Sequence, residues 1–196
     1  MIRLQVERIL GRKILLLGDV GTGKTLLTSR ILEKLVELGY EKHITVIDMA
    51  PEKMGHIGGT LGEYTRVVER VTYLRPRTIY APRTTARNQE ELLFMARKNA
   101  ESIDSLLTKY LSQPTEILII NDVTLYFHAG DIRRVLECLS HAKTFVANAY
   151  YGQKISCDYG TGVTLRERKL VERLAKEMDI ILNLDSIGGS NFFVDG

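Results

Sequence analysis

Eight consecutive residues, Gly18-Asp19-Val20-Gly21-Thr22-Gly23-Lys24-Thr25, carry the most concentrated chemistry in the chain. They match the spacing G-x-x-x-x-G-K-[ST] at every position. Glycines at 18, 21 and 23 let the backbone curl, so that successive N–H groups point inward at one anion. With Thr22 between them, these amides would line a phosphate cradle, and a helix beginning here adds its partial positive charge to the same point. Lys24 is placed to reach the β- and γ-phosphates of a nucleotide, and the Thr25 hydroxyl to ligate Mg²⁺. The surroundings agree: a buried apolar run precedes the loop and an amphipathic stretch follows it.

Metal held beside a phosphate needs a carboxylate at the end of a neighbouring buried strand. Asp122, after Ile117-Leu118-Ile119-Ile120-Asn121, is the first candidate for Mg²⁺, and Asp48, after Thr45-Val46-Ile47, is the second. Between Arg66 and Arg87 stand six arginines, no lysine and one acid, Glu69. Arginine offers planar, two-pronged contacts to phosphate. The segment is expected to clamp nucleotide phosphates, or to seat a phosphorylated or nucleic-acid acceptor or a protein partner; the bland alternative is a solvated basic face. Arg83 and Arg87 are its leading residues, because they run directly into a helix start. The four histidines lack ligand spacing and are expected to be surface or capping residues.

These groups need a scaffold, and short apolar runs alternating with helical patterns supply the signature of βαβ units on a parallel sheet. Strands are expected at Lys13 to Leu17, His43 to Asp48, Val71 to Leu74, Glu116 to Asn121, Thr144 to Ala149 and Ile180 to Leu184. Helices are expected at Thr25 to Leu38, from an Asn88 cap to before Pro114, over Asp131 to His141, and after a Thr164/Glu167 cap. Pro51 to Gly62, with four glycines, reads as a mobile loop. The whole of 1–196 reads as one α/β domain.

On the phosphate loop and this element order, the chain resembles the P-loop NTPase superfamily. The resemblance implies a three-layer α/β P-loop NTPase fold with a mainly parallel sheet. It resembles in particular the class containing signal-recognition GTPases, MinD-like ATPases and metallochaperone GTPases, where a carboxylate like Asp48 orients the attacking water. Asn148 stands where P-loop GTPases carry Asn-Lys-x-Asp to read guanine. The lysine and aspartate are missing, so ATP is expected over GTP, with Tyr150 or Tyr151 available to stack on the base. A loose similarity to polynucleotide 5′-hydroxyl kinases leaves three activities open. These are slow, switch-like hydrolysis, phosphoryl transfer to a small-molecule or polynucleotide acceptor, and a nucleotide-gated role in a larger complex.

Bulk composition narrows the field. With 44% hydrophobic and 26% charged residues, the chain has the make-up of a globular protein. A net charge of +3 gives little whole-molecule attraction to nucleic acid or membrane. No apolar run approaches the ~18 residues of a membrane span, and no signal-peptide pattern opens the chain. Cys138 and Cys157 match no paired motif and suit reduced thiols in a cytoplasmic protein.

Overall fold

The computed structural model describes residues 2–53, 59–187 and 192–195. Its strands are β1 (Ile2–Gln5), β2 (Lys13–Gly18), β3 (Ile44–Asp48), β4 (Thr72–Leu74), β5 (Ile117–Asn121), β6 (Thr144–Tyr150), β7 (Ile180–Asn183) and β8 (Phe192–Asp195). Its helices are α1 (Lys24–Glu37), α2 (Pro82–Thr85), α3 (Gln89–Ser112), α4 (Thr124–Phe127), α5 (Ile132–His141) and α6 (Val163–Ala175).

Six strands form one sheet in the order β4-β3-β5-β6-β2-β7. Every pairing in it is parallel, so the expected mainly parallel sheet is wholly so. Parallel strands need crossover connections, and these put helices on both faces and bury both. Side-chain alternation carries this out residue by residue. Ile14 and Leu16 of β2 join Val46, Ile119 and Val146 in a core under α1, through Leu27, Ile31 and Leu35. Leu15 and Leu17 turn the other way and join Leu118, Ile120 and Phe145 beneath α3, α5 and α6. The result is a three-layer α/β fold around a parallel sheet, as the resemblance implies.

Local signals account for most helix ends. The Asn88 side chain accepts a hydrogen bond from Glu91 N at 2.9 Å and caps α3, as its spacing predicts. The Thr164 cap fails: Gly162, at φ +77°, caps α6 instead, which leaves Glu167 inside the helix on its buried face. Strands β1 and β8 were not anticipated; they pair in parallel, Ile2 opposite Phe192, apart from the main sheet. Strands of four residues leave a weak pattern in sequence. Much of the glycine-rich Pro51 to Gly62 loop, including Gly55, His56 and Gly58, lies outside the described residues.

Both cysteines are free thiols, Cys138 buried in α5 and Cys157 exposed. Burial pushes the Cys138 thiol up to about 12. Ellman's reagent should therefore titrate Cys157 promptly in the folded protein and Cys138 only in denaturant; equal rates for both thiols would contradict this packing.

Candidate functional site

The phosphate loop leaves β2 at Gly18 and enters α1 through Gly23, which is at φ +88°. That left-handed conformation costs a residue with a Cβ but not glycine. Lys24 does not extend into solvent as a free head. Its Nζ donates to the carbonyls of Gly18 (2.8 Å) and Asp19 (2.7 Å), so the lysine braces the loop from within. Burial lowers its pKa, opposed by Asp122, Asp185 and Asp19. The Asp19 carboxylate accepts from the amides of Val20 (2.6 Å), Gln153 (3.0 Å) and Lys154 (3.2 Å), tying the segment after β6 to the loop. Gly152 makes this approach possible, since a Cβ there would collide with the Asp19 carboxyl group.

Asp122 follows β5 in a left-handed conformation at φ +57°, unusual for a non-glycine residue. Its amide donates to Asn148 Oδ1 at 2.9 Å, and its carboxylate accepts from the Thr124 hydroxyl. Burial raises its pKa, while Thr124 and Lys24 favour the ionised form. Asp122, Lys24 and Thr25 line one cleft with Gly21, Thr22 and Gly23. The cleft is open to solvent on one side.

Asp48 takes a different place from the one expected of it. It is fully buried, and its carboxylate is consumed by protein donors. Oδ1 accepts from Ala50 N (3.2 Å) and Asn121 Nδ2 (2.8 Å); Oδ2 accepts from Leu61 N (2.6 Å) and the Tyr73 hydroxyl (2.6 Å). No lone pair faces the cleft for a water, so the catalytic expectation for Asp48 gives way to a structural one. Burial raises its pKa, with the four donors opposing.

Asn148 is also corrected. Rather than reading a base, its Nδ2 donates to Thr28 Oγ1 (2.9 Å) and Asn121 Oδ1 (2.7 Å), while its Oδ1 holds the Asp122 amide. Both its donors are spent inside the protein. Tyr150 does line the cleft, but Tyr151 turns away to pack against Arg168 and bond Glu172.

The arginine segment disperses. Arg66 and Arg70 pair with Glu69 and Glu41 on the surface, and Arg87 pairs with Glu91, its side chain 86% exposed. Arg87 is thus not a cleft residue, because its neighbour carboxylate and the start of α3 hold it outside. Of the six, only Arg83, from α2, is among the residues lining the cleft. Its side chain is 4% exposed, and its Nη1 donates to Glu167 Oε1 at 2.7 Å. Glu167 Oε2 lies 2.6 Å from His128 Nε2. All three residues line the cleft, so His128 is not the surface residue its isolation in sequence suggests. Neither His128 nor Glu167 was singled out from sequence. A glutamate in the register of Val163, Val171 and Leu174, on the buried stripe of α6, was the available signal.

The described residues hold no cluster of three or more His, Cys, Asp or Glu side chains fit for a metal, and no helix long and apolar enough to cross a membrane. No family model and no curated protein matches the chain. Among solved structures it is similar to the flagellar accessory protein FlaH from Methanocaldococcus jannaschii, with TM-score 0.48 and 9% identity over 89% of this chain and 71% of that one. It is also similar to the Pif1 helicase from Candida albicans, with TM-score 0.42 and 14% identity, over 91% of this chain but 37% of the helicase. Neither likeness is close enough to bear on function.

Asp48→Asn should unfold more easily. An amide nitrogen would replace one carboxylate oxygen and face two donors, a cost of about 2–4 kcal/mol for buried groups left unpaired. Urea unfolding of the variant measures it; unchanged stability would mean that the four bonds do not hold this region.

Proposed function

We propose that this chain is a Mg²⁺-dependent ATP-binding P-loop protein that hydrolyses the nucleotide slowly, as a switch-like NTPase. The observation that carries the proposal is one cleft lined at once by the phosphate loop, Lys24, Thr25 and Asp122. In the reaction, water oxygen bonds to the γ-phosphorus and the bond to the β–γ bridging oxygen breaks, leaving ADP and phosphate. The water proton leaves to solvent at the open mouth of the cleft, since Asp48 is spent and both Glu167 oxygens are engaged by Arg83 and His128. Lys24 exchanges its contacts with the Gly18 and Asp19 carbonyls for phosphate oxygens and neutralises charge that builds up on them.

Thr25, Thr124 and Asp122 are hard oxygen donors and suit Mg²⁺, which needs only one or two protein ligands beside phosphates and water. Asp122 has the raised pKa of a buried carboxylate, which a cation beside it would reverse. When bound, Mg²⁺ supplies charge neutralisation at the phosphates. ATP rather than GTP is favoured by the spent amide of Asn148, which leaves a base to be held by stacking against Tyr150.

A second reading, transfer to an acceptor hydroxyl, draws support from the extension of the cleft past the loop to Arg83, Tyr150 and Ile155. Release of labelled phosphate without added acceptor favours hydrolysis, and label appearing on an added alcohol or oligonucleotide favours transfer.

Lys24→Ala should weaken ATP binding about tenfold to a hundredfold, the loss of a charge-assisted contact of ~1.5–3 kcal/mol. Calorimetric titration checks this, and unchanged affinity would defeat the assignment of the loop. Asp122→Asn should raise the Mg²⁺ concentration for half-maximal turnover at least roughly tenfold; an unshifted Mg²⁺ dependence would remove Asp122 from the metal site.

A further inference from the structure

Arg83 is held in a way that neutralising Glu167 does not explain. Arginine and carboxylate commonly pair through two parallel hydrogen bonds. Here the pair is joined by Nη1 to Oε1 alone, because His128 occupies the second carboxylate oxygen. The opposite edge of the guanidinium, Nε and Nη2, is buried and has no hydrogen-bond partner among the described residues. Each such donor costs about 1–3 kcal/mol when left unpaired. The guanidinium is nonetheless fixed, clamped by Glu167 and set over the Tyr150 ring at 5.4 Å. A rigid, dry, two-pronged donor edge is the geometry that binds two oxygens of one oxyanion. Arg83 is among the residues that line the cleft shared with the phosphate loop.

We propose that the Nε–Nη2 edge of Arg83 is a second oxyanion subsite of the cleft, set apart from the phosphate loop and built for a phosphoryl group. Glu167 and His128 are positioning residues for it: the first holds the guanidinium, and the second keeps that hold to a single oxygen. The proposal rests on the nucleotide-binding reading only for the source of the phosphoryl group. That source is either the γ-phosphoryl of the nucleotide or the phosphate of a second substrate.

The test is calorimetric titration of inorganic phosphate into wild type saturated with Mg·ADP, and into Arg83→Lys under the same conditions. Lysine keeps the charge on Glu167 but loses the fork. Thermal unfolding checks that the variant is folded; if it is not, Arg83→Gln with Glu167→Gln removes both charges together and takes its place. Phosphate affinity at least tenfold weaker in the folded variant supports the subsite, and equal affinity overturns it. Preloading wild type with Mg·AMP-PNP identifies the source. Blocked phosphate binding assigns the edge to the nucleotide's own γ-phosphoryl, and simultaneous binding assigns it to a second substrate. If wild type binds no Mg·ADP, the nucleotide reading fails by itself, and the same comparison in the free protein still decides on Arg83. If phosphate binds wild type in neither state and the variant holds Mg·AMP-PNP as tightly as wild type, the subsite does not exist.

Discussion

Parallel register brings the carboxyl ends of β2, β3, β5 and β6 to one level, with Gly18 opposite Tyr150 and Asp48 opposite Asn121. Chain reversals at that level put polar backbone in the interior, where each unpaired group is costly. The sequence answers with a line of side chains across four strands: Thr28 to Asn148, Asn148 to Asn121, Asn121 to Asp48, and Asp48 to Tyr73. Each member satisfies the next, and four of them also reach backbone: Thr28 donates to the Lys24 carbonyl and Asn121 to that of Gly59. Asp48 takes the amides of Ala50 and Leu61, while Asn148 takes that of Asp122. The line therefore sets where α1, β4 and the segment after β5 lie relative to one another.

The site inherits its geometry from that line. Asn148 fixes the peptide that carries the Asp122 carboxylate, and Thr28 ties the same asparagine to the helix that opens with Lys24. Lys24 and Asp122 thus come to one cleft by way of a shared hydrogen-bonded neighbour rather than by touching. A separate buried group lines the same cleft: Arg83 of α2, Glu167 of α6 and His128 at the end of α4, joined by their own side-chain bonds. A fully satisfied line and an incompletely satisfied arginine serve different ends: the first specifies the fold, and the second retains hydrogen-bonding capacity.

Legibility in the sequence followed the range of the interactions. The phosphate loop could be read because its requirements are local: glycine backbone freedom, a lysine and a hydroxyl at fixed offsets before an amphipathic helix. The four central strands, β2, β3, β5 and β6, could be read because burial on both faces forces continuous apolar runs such as Ile117 to Ile120. Asp48 was misassigned because position at a strand end is local, whereas its four donors come from Ala50, Leu61, Tyr73 and Asn121. Asn148 failed likewise, since its partners lie 120 and 27 residues away. Arg83 and Arg87 have nearly identical sequence settings, and only the orientation of a four-residue helix sends one inward. Glu167 was hidden by a plausible capping pattern, although its place on the apolar stripe of α6 marked it as a buried charge in need of a partner.

Binding of a nucleotide through its phosphates is tested most directly by the thermal unfolding midpoint as a function of added ligand, with Mg·ATP compared against adenosine. A ligand that binds only the folded state stabilises it by about 2.7 kcal/mol at a hundredfold its Kd. The expected result is a midpoint that climbs steadily with Mg·ATP and barely moves with adenosine, because the recognition lies in the loop, Lys24 and Asp122. A midpoint indifferent to Mg·ATP, or raised equally by adenosine, would contradict it.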